Sequence, residues 1–128
     1  MIFKDRADAG LQLASLLAQY KGNSDVIVLG LARGGVVVAH AIAAQLHVDL
    51  NVLVIRKLGA PSNPELALGA IAEDGVGVYN ERLIAMLGVS PAYLETERER
   101  QMLLIQERLL LYRKNSPPPV LEGKIVIV

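Results

Sequence analysis

The sequence of 128 residues contains no cysteine and no excess of charge of either sign. Without cysteine, the chain forms neither disulfide bonds nor thiolate metal sites, which fits a reducing cytosol. Lys and Arg together number 13, as do Asp and Glu, so the formal net charge is zero. A neutral chain has no global attraction to nucleic acids or acidic membranes, and any anion-binding site must be local.

Long apolar runs are also missing. No stretch reaches the ~18 apolar residues that a membrane-spanning helix needs. The first six residues are not followed by the apolar segment of a signal peptide. These absences predict a cytoplasmic protein that binds neither a membrane nor nucleic acid.

The residues that are present predict an α/β domain. Hydrophobic residues make up 52% of the sequence, enough for a buried core. An amphipathic helix is predicted over residues 5–20, capped by Asp5 and ended at Gly22. Apolar runs at 25–30 and 49–55 predict buried parallel strands, joined in a βαβ unit by a helix over 36–46.

Residues 56–79 interrupt this alternation with recurrent glycine and proline. The pattern predicts a mobile excursion that ends in a hairpin or a short extended pair, formed by residues 69–72 and 76–79. Glu73 and Asp74 are interpreted as part of a turn. No catalytic base is assigned.

Two helices and a strand are predicted in the remaining sequence. Asn80 is expected to cap a helix over 81–87, and Ser90-Pro91 to open a long helix toward Arg113. Its expected solvated face consists of Glu97, Arg98, Glu99 and Arg100. Core packing is the expected role of four of its leucines, with a homodimer interface as the alternative: Leu103, Leu104, Leu110 and Leu111. Residues 124–128 predict another buried strand.

Metal and nucleotide motifs of other classes are absent. His40 and His47 have no partner at metal-ligand spacing, so packing and capping roles are expected, and no metal is assigned to the protein itself. There is no P-loop lysine motif and no Gly-x-Gly-x-x-Gly with a downstream acid, which argues against ordinary NTPases and dinucleotide enzymes.

Several segments together resemble the type I phosphoribosyltransferases. Residues 28–36, Val-Leu-Gly-Leu-Ala-Arg-Gly-Gly-Val, are similar to the pyrophosphate loop of that family. Residues 51–57 resemble the strand that ends in its basic pair. Residues 57–72 resemble the flexible loop of one branch, whose acceptor is unknown. That branch also opens with Phe-x-Asp-Arg-x-x-Ala-Gly, found here at 3–10.

The resemblance implies an α/β fold with a parallel sheet and flanking helices. It also implies transfer of ribose 5-phosphate from phosphoribosyl pyrophosphate to a nucleobase or related amine, with Mg²⁺ bound through the pyrophosphate. Pyrophosphate-binding residues would be Ala32, Arg33, Gly34 and Gly35, and the family's cis peptide is expected at Ala32-Arg33. The alternative is a tight strand-to-helix turn with an exposed arginine.

Further substrate contacts are implied for a basic pair and a lid. Arg56 and Lys57 are expected at the carboxyl end of the second strand, on the pyrophosphate rim; the alternative is a solvated pair. Residues 59–68 are expected to close over the reacting centre, with contacts from Pro61, Asn63 and Glu65. A plain surface loop is the alternative.

One motif of the family does not follow its strand. An acidic pair and a Gly/Thr-rich loop, which hold the ribose and its 5-phosphate, would come after residues 124–128, where the sequence ends. Residues 1–128 are therefore expected to be the N-terminal portion of a single domain, inactive alone, or else a shortened relative. Two other functions stay open: a non-catalytic regulatory module that binds phosphoribosyl compounds or nucleotides, and a nucleotide-binding domain of another family.

Overall fold

Six strands and four α-helices lie in residues 2–128, the part of the chain that the computed structural model describes. The strands are β1 Val26–Leu31, β2 Asp49–Leu53, β3 Ile55–Ala60, β4 Asn63–Ala72, β5 Gly77–Tyr79 and β6 Ile125–Ile127. The α-helices are α1 Arg6–Leu16, α2 Gly34–Leu46, α3 Glu81–Leu87 and α4 Pro91–Arg113. A short 3₁₀ turn, Ala18–Tyr20, follows α1.

Side-chain caps set where three of these helices begin. The Asp5 carboxylate accepts a hydrogen bond from the Asp8 N–H at 2.8 Å at the start of α1. Asn80 and Ser90 cap α3 and α4 in the same way. Each cap satisfies an N–H group that has no acceptor within its own helix. The predicted caps Asp5 and Asn80 and the start at Pro91 are confirmed.

The first compact unit comprises residues 1–53 and 116–128 and holds the parallel sheet. Its strand order is β2-β1-β6, with β1 parallel to both neighbours. α2 packs on β1 and β2, and α1 packs on α2. The core consists of Ala14, Val28, Ala39, Ile42, Ala43 and Leu46. The α/β class with a parallel sheet and flanking helices is confirmed.

Gly30 permits the close approach of α2 to β1. A Cβ atom at this position would lie 2.7 Å from the Cα of Val36 and 2.9 Å from the Cβ of Ala39. Both distances are shorter than atoms of this kind tolerate, so a side chain here would displace the start of α2. The packing of α2 on β1 therefore requires glycine at position 30, the last residue of the predicted first strand.

The second compact unit, residues 54–115, begins where the chain leaves the parallel sheet. The predicted strand over 49–55 is wrong at its end, because β2 stops at Leu53 and β3 begins at Ile55. Between them, Val54 is buried, and its N–H donates to the Glu73 carboxylate at 3.3 Å.

The second unit contains an antiparallel sheet of order β3-β4-β5. The pair predicted from residues 69–72 and 76–79 is confirmed as the antiparallel pairing of β4 with β5. The expectation of an irregular loop over 59–68 is wrong. Those residues form the end of β3 and the first part of β4, joined by the tight turn Pro61-Ser62. Proline presets the backbone angle that such a turn requires. The buried side chains Leu58, Leu68 and Ile71 hold the hairpin in place.

Glu97 and Glu73 each form an ion pair with an arginine. Glu73 is partly buried and lies in the turn between β4 and β5, where the sequence predicted a turn. Glu97 of α4 is 7% exposed and accepts hydrogen bonds from Arg100 at 2.7 and 3.0 Å. Glu73 bonds the buried Arg113 at 2.7 Å. The expectation that Glu97 is solvated is therefore wrong. A buried carboxylate is tolerated because the guanidinium compensates its charge.

Several other placements on the helices differ from expectation. Leu103, Leu110 and Leu111 are 64%, 63% and 73% exposed, so core packing does not account for them. The homodimer interface stays a prediction. His40 is exposed rather than packed, whereas His47 lies at the carboxyl end of α2 in the left-handed region. No helix of residues 2–128 is long and apolar enough to cross a membrane.

Candidate functional site

The loop of residues 32–35 joins the buried strand β1 to the start of α2. The N–H of Ala32 donates to the carbonyl of Leu53 at 3.1 Å, which ties the loop to the end of β2. The peptide bond between Ala32 and Arg33 is cis, as the family resemblance implied. Residues 32–35 therefore lie at the carboxyl end of the parallel sheet, where open α/β sheets bind ligands.

Two backbone donors of this loop are free in the structure. The N–H of Val36 donates to the carbonyl of Arg33 at 3.2 Å. The N–H groups of Gly34 and Gly35 precede the first helical acceptor and have no hydrogen-bond partner in residues 2–128. Donors at the first turn of a helix carry its partial positive charge and favour an anion.

Arg33 adds a full positive charge at the same place. Its side chain is exposed, and it forms no ion pair with residues 2–128. A guanidinium offers donors in a planar fork that matches phosphate and carboxylate oxygens. The predicted residues Ala32, Arg33, Gly34 and Gly35 are thus contiguous in the structure, and their donors suit an anion.

Arg6 also lies at this loop, and sequence reasoning assigned it no role. A Cβ atom built on Gly34 would lie 2.8 Å from Nε of Arg6 and 3.2 Å from Nη2. The guanidinium therefore covers the Cα of Gly34. A signal was present in the sequence, since Arg6 is the basic residue of the opening motif at 3–10. The motif alone did not indicate which part of the fold it contacts.

The second unit places the predicted lid residues on the β3–β4 hairpin. Lys57 Nζ bonds the Glu65 carboxylate at 2.8 Å across the hairpin, and both side chains are exposed, 49% and 85%. Lys57 lowers the pKa of Glu65 through this hydrogen bond and its charge. The side-chain oxygen of Asn63 accepts from the Glu65 N–H at 3.2 Å, next to Pro61 in the turn. The structure therefore places these residues together on the hairpin, and their contacts with substrate stay predictions.

Arg56 and Lys57 differ in their surroundings, although they are neighbours in sequence. Both lie inside β3 and not at the end of β2, so their expected placement is wrong. Successive side chains of a strand point to opposite faces. Arg56 accordingly contacts α4, where its Nε donates to Gln101 at 2.9 Å. Within residues 2–128, Lys57 bonds only the exposed Glu65, and it is the more accessible cation of the two.

The contacts of Arg56 belong to a polar network on α4. Gln101 is buried, and its amide nitrogen donates to Glu97 at 2.9 Å. The hydrogen bond from Arg100 lowers the pKa of Glu97, although burial raises it. Burial, followed by the charge of Glu97, raises the pKa of Tyr93, whose hydroxyl donates to the Gly59 carbonyl at 2.7 Å. This network joins α4 to β3, which indicates a structural role.

An apolar cavity of about 220 Å³ lies in the first unit. Its lining comes from α1, β1, α2 and β6, and includes Leu31, Gly35, Val38 and Ile127. Its walls offer few hydrogen-bond donors, so a phosphate ligand would not be satisfied there. The donors suited to an anion lie on the 32–35 loop instead.

A family model described as phosphoribosyl transferase domain matches residues 4–128. "Putative phosphoribosyl transferase Rv0571c" of Mycobacterium tuberculosis strain H37Rv is 44% identical over 127 residues. "Putative phosphoribosyl transferase MT0597" of strain CDC 1551 matches to the same extent. The aligned part covers 99% of this chain but only 28% of each of these relatives.

The fold is also similar to a solved structure, the crystal structure of TT1426 from Thermus thermophilus. The TM-score is 0.76 and the sequences are 43% identical. The match covers 98% of this chain and 59% of that chain. The likeness therefore extends over nearly all of the described residues, whereas this chain spans only part of each of these three proteins.

Proposed function

Because this chain belongs to the type I phosphoribosyltransferase family, we propose that the complete gene product transfers ribose 5-phosphate from phosphoribosyl pyrophosphate to a nitrogenous base. Pyrophosphate is the leaving group. The acceptor is a nucleobase or a related amine. In this proposal, the 128-residue chain supplies the residues that bind the pyrophosphate, and these residues are centred on the 32–35 loop.

One observation carries the proposal: the 32–35 loop offers free donors at a helix N-terminus. The N–H groups of Gly34 and Gly35 have no partner in residues 2–128, and Arg33 is exposed beside them. Because neither glycine has a side chain, phosphate oxygens can approach the backbone closely. The N-terminus of α2 then adds its positive end to the charge of Arg33.

These donors would act on the leaving group. Transfer of a ribosyl group passes through an electron-poor, oxocarbenium-like sugar, while the bond to the departing pyrophosphate breaks. Negative charge on the pyrophosphate increases in that step. Donors already fixed toward this charge stabilise the transition state more than the ground state, because they need no reorganisation.

Mg²⁺ is proposed to enter with the substrate, bound through its phosphate oxygens. In residues 2–128, no group of three or more His, Cys, Asp or Glu side chains could hold a metal ion. In phosphate-processing sites, Mg²⁺ keeps several waters and binds substrate phosphates with few protein ligands. The donor set thus fits an ion carried by pyrophosphate, whose charge the ion would neutralise.

The β3–β4 hairpin is proposed to act as the lid. Lys57 is its accessible cation, and Glu65 holds that ammonium through an exposed ion pair. Exposed pairs of this kind are weak, so phosphate oxygens compete with Glu65 for Lys57. Pro61 lies in the turn that precedes β4, and Asn63 accepts a hydrogen bond from the N–H of Glu65 at the start of β4. Arg56 is assigned to the structure of the hairpin, because Gln101 already bonds it.

The test is turnover by the complete gene product. With Mg²⁺ and a panel of purines, pyrimidines and simple amines, at least one acceptor is expected to release pyrophosphate from phosphoribosyl pyrophosphate. Arg33→Ala should lower kcat/KM roughly 10-fold to 100-fold, since it removes charge-assisted hydrogen bonds to the leaving group. Lys21→Ala, which removes an exposed cation from the turn after α1, should change kcat/KM less than about twofold.

Two results would contradict the proposal. One is the absence of turnover with every acceptor in the panel. The other is tight binding of phosphoribosyl pyrophosphate without turnover, which would favour a regulatory module instead.

A further inference from the structure

Arg6 is the first residue of α1 and covers the Cα of Gly34. Gly34 directly follows Arg33, so two arginines flank one glycine of the 32–35 loop. Neither forms an ion pair or a side-chain hydrogen bond with residues 2–128. Two guanidinium groups beside a free backbone donor leave positive charge at this place that the described protein does not neutralise.

Helix stability does not account for Arg6. A cation in the first turn of a helix faces the positive end of the helix dipole, which is unfavourable. The nearby acidic residues are engaged elsewhere. Asp5 accepts from the Asp8 N–H, and Asp8 accepts from the Lys4 N–H and the Gln12 amide. Arg6 is therefore held against the loop at an electrostatic cost to α1.

We propose that Arg6 is a second pyrophosphate-binding residue. The inference rests on the proposed function, because it assigns Arg6 to the same ligand. Pyrophosphate has two phosphate groups and several negative charges, more than one guanidinium can satisfy. Arg33 and the free N–H groups bind one part, and the planar fork of Arg6 binds oxygens over Gly34.

Calorimetric titration of the chain with inorganic pyrophosphate and Mg²⁺ tests the assignment. Arg6→Ala should raise the dissociation constant about tenfold, the loss expected for charge-assisted hydrogen bonds. Arg6→Lys keeps the charge but loses the fork, so it should show a smaller loss. Lys21→Ala is the control for charge alone in the same unit and should change the constant less than about twofold.

A thermal melt separates binding from structure. Since Arg6 opposes the helix dipole, Arg6→Ala should leave the Tm unchanged or slightly raised. A lowered Tm with unchanged pyrophosphate affinity would show a structural role and overturn the inference. Arg33→Ala distinguishes the two proposals. If it weakens binding while Arg6→Ala does not, only the assignment of Arg6 fails. If the wild-type chain does not bind pyrophosphate, or neither variant weakens binding, the assignment of the loop fails as well.

Discussion

Replacing Gly30 by valine is expected to lower the free energy of unfolding by about 3 kcal/mol and to abolish pyrophosphate binding. The new Cβ would lie 2.7 Å from the Cα of Val36, 2.9 Å from the Cβ of Ala39 and 3.2 Å from the carbonyl oxygen of Gly35. Two of these three are backbone atoms, so no side-chain rotation relieves the clash. The start of α2 must shift, and the free N–H groups of the 32–35 loop shift with it.

Urea denaturation and pyrophosphate titration of the same variant measure the two effects. Leu31→Val is the matched control, since it changes the next residue of β1, whose side chain is 43% exposed. We expect that control to lie within about 0.5 kcal/mol of the wild type. A Gly30→Val variant with wild-type stability and affinity would show that the approach of α2 to β1 does not set the geometry of the loop.

Glu73→Ala is expected to lower the free energy of unfolding by about 3 to 5 kcal/mol. Glu73 bonds Arg113 at 2.7 Å and accepts from the Val54 N–H at 3.3 Å. The two side chains are 15% and 7% exposed. Alanine would leave a buried guanidinium without this carboxylate and a buried N–H without its acceptor, and both cost desolvation energy.

Urea denaturation compares this variant with Glu99→Ala, which removes an exposed carboxylate from α4. The control should cost less than about 0.5 kcal/mol. The double variant Glu73→Leu, Arg113→Met should recover much of the loss, because it removes the buried guanidinium together with its carboxylate partner. Equal stability of Glu73→Ala and Glu99→Ala would mean that the ion pair of Glu73 with Arg113 does not stabilise the second unit.

Local signals in the sequence predicted the parts of the fold that depend on neighbouring residues. The side chains of Asp5 and Asn80 each accept a hydrogen bond from an N–H three residues ahead, so the predicted helix starts agree with the structure. The Gly34-Gly35 pair after a buried strand likewise indicated a strand-to-helix loop. These features need no knowledge of tertiary contacts.

The parts that sequence reasoning missed depend on residues far apart in the chain. The β3–β4 hairpin has glycine and proline at several positions, so its composition favoured an irregular loop. Burial of Leu58, Leu68 and Ile71 overrides that preference. Glu73 bonds Arg113, which lies near the end of the second unit's sequence. Arg6 of α1 lies against Gly34 at the start of α2. No periodicity in the sequence encodes such contacts.

The sequence therefore predicted the positions of some site residues correctly and those of others wrongly. The residues of the 32–35 loop are contiguous in the sequence, so a local motif was enough to predict them. Arg56 and Lys57 were placed one strand too early, because the apolar run over 49–55 continues past the end of β2. Their division of roles followed only from the hydrogen bond between Arg56 and Gln101. The expected contacts of Pro61, Asn63 and Glu65 with substrate stay predictions.

The most direct test of the central claim is an NMR titration of the ¹⁵N-labelled chain with inorganic pyrophosphate and Mg²⁺. The largest amide shifts are expected at Gly34 and Gly35, whose N–H groups would gain a phosphate acceptor, and Arg33→Ala is expected to reduce them. The amides of Gly22 and Gly123, which lie in turns of the same unit, should not respond. Shifts confined to other residues, or no shifts at all, would contradict the assignment of the 32–35 loop as the pyrophosphate site.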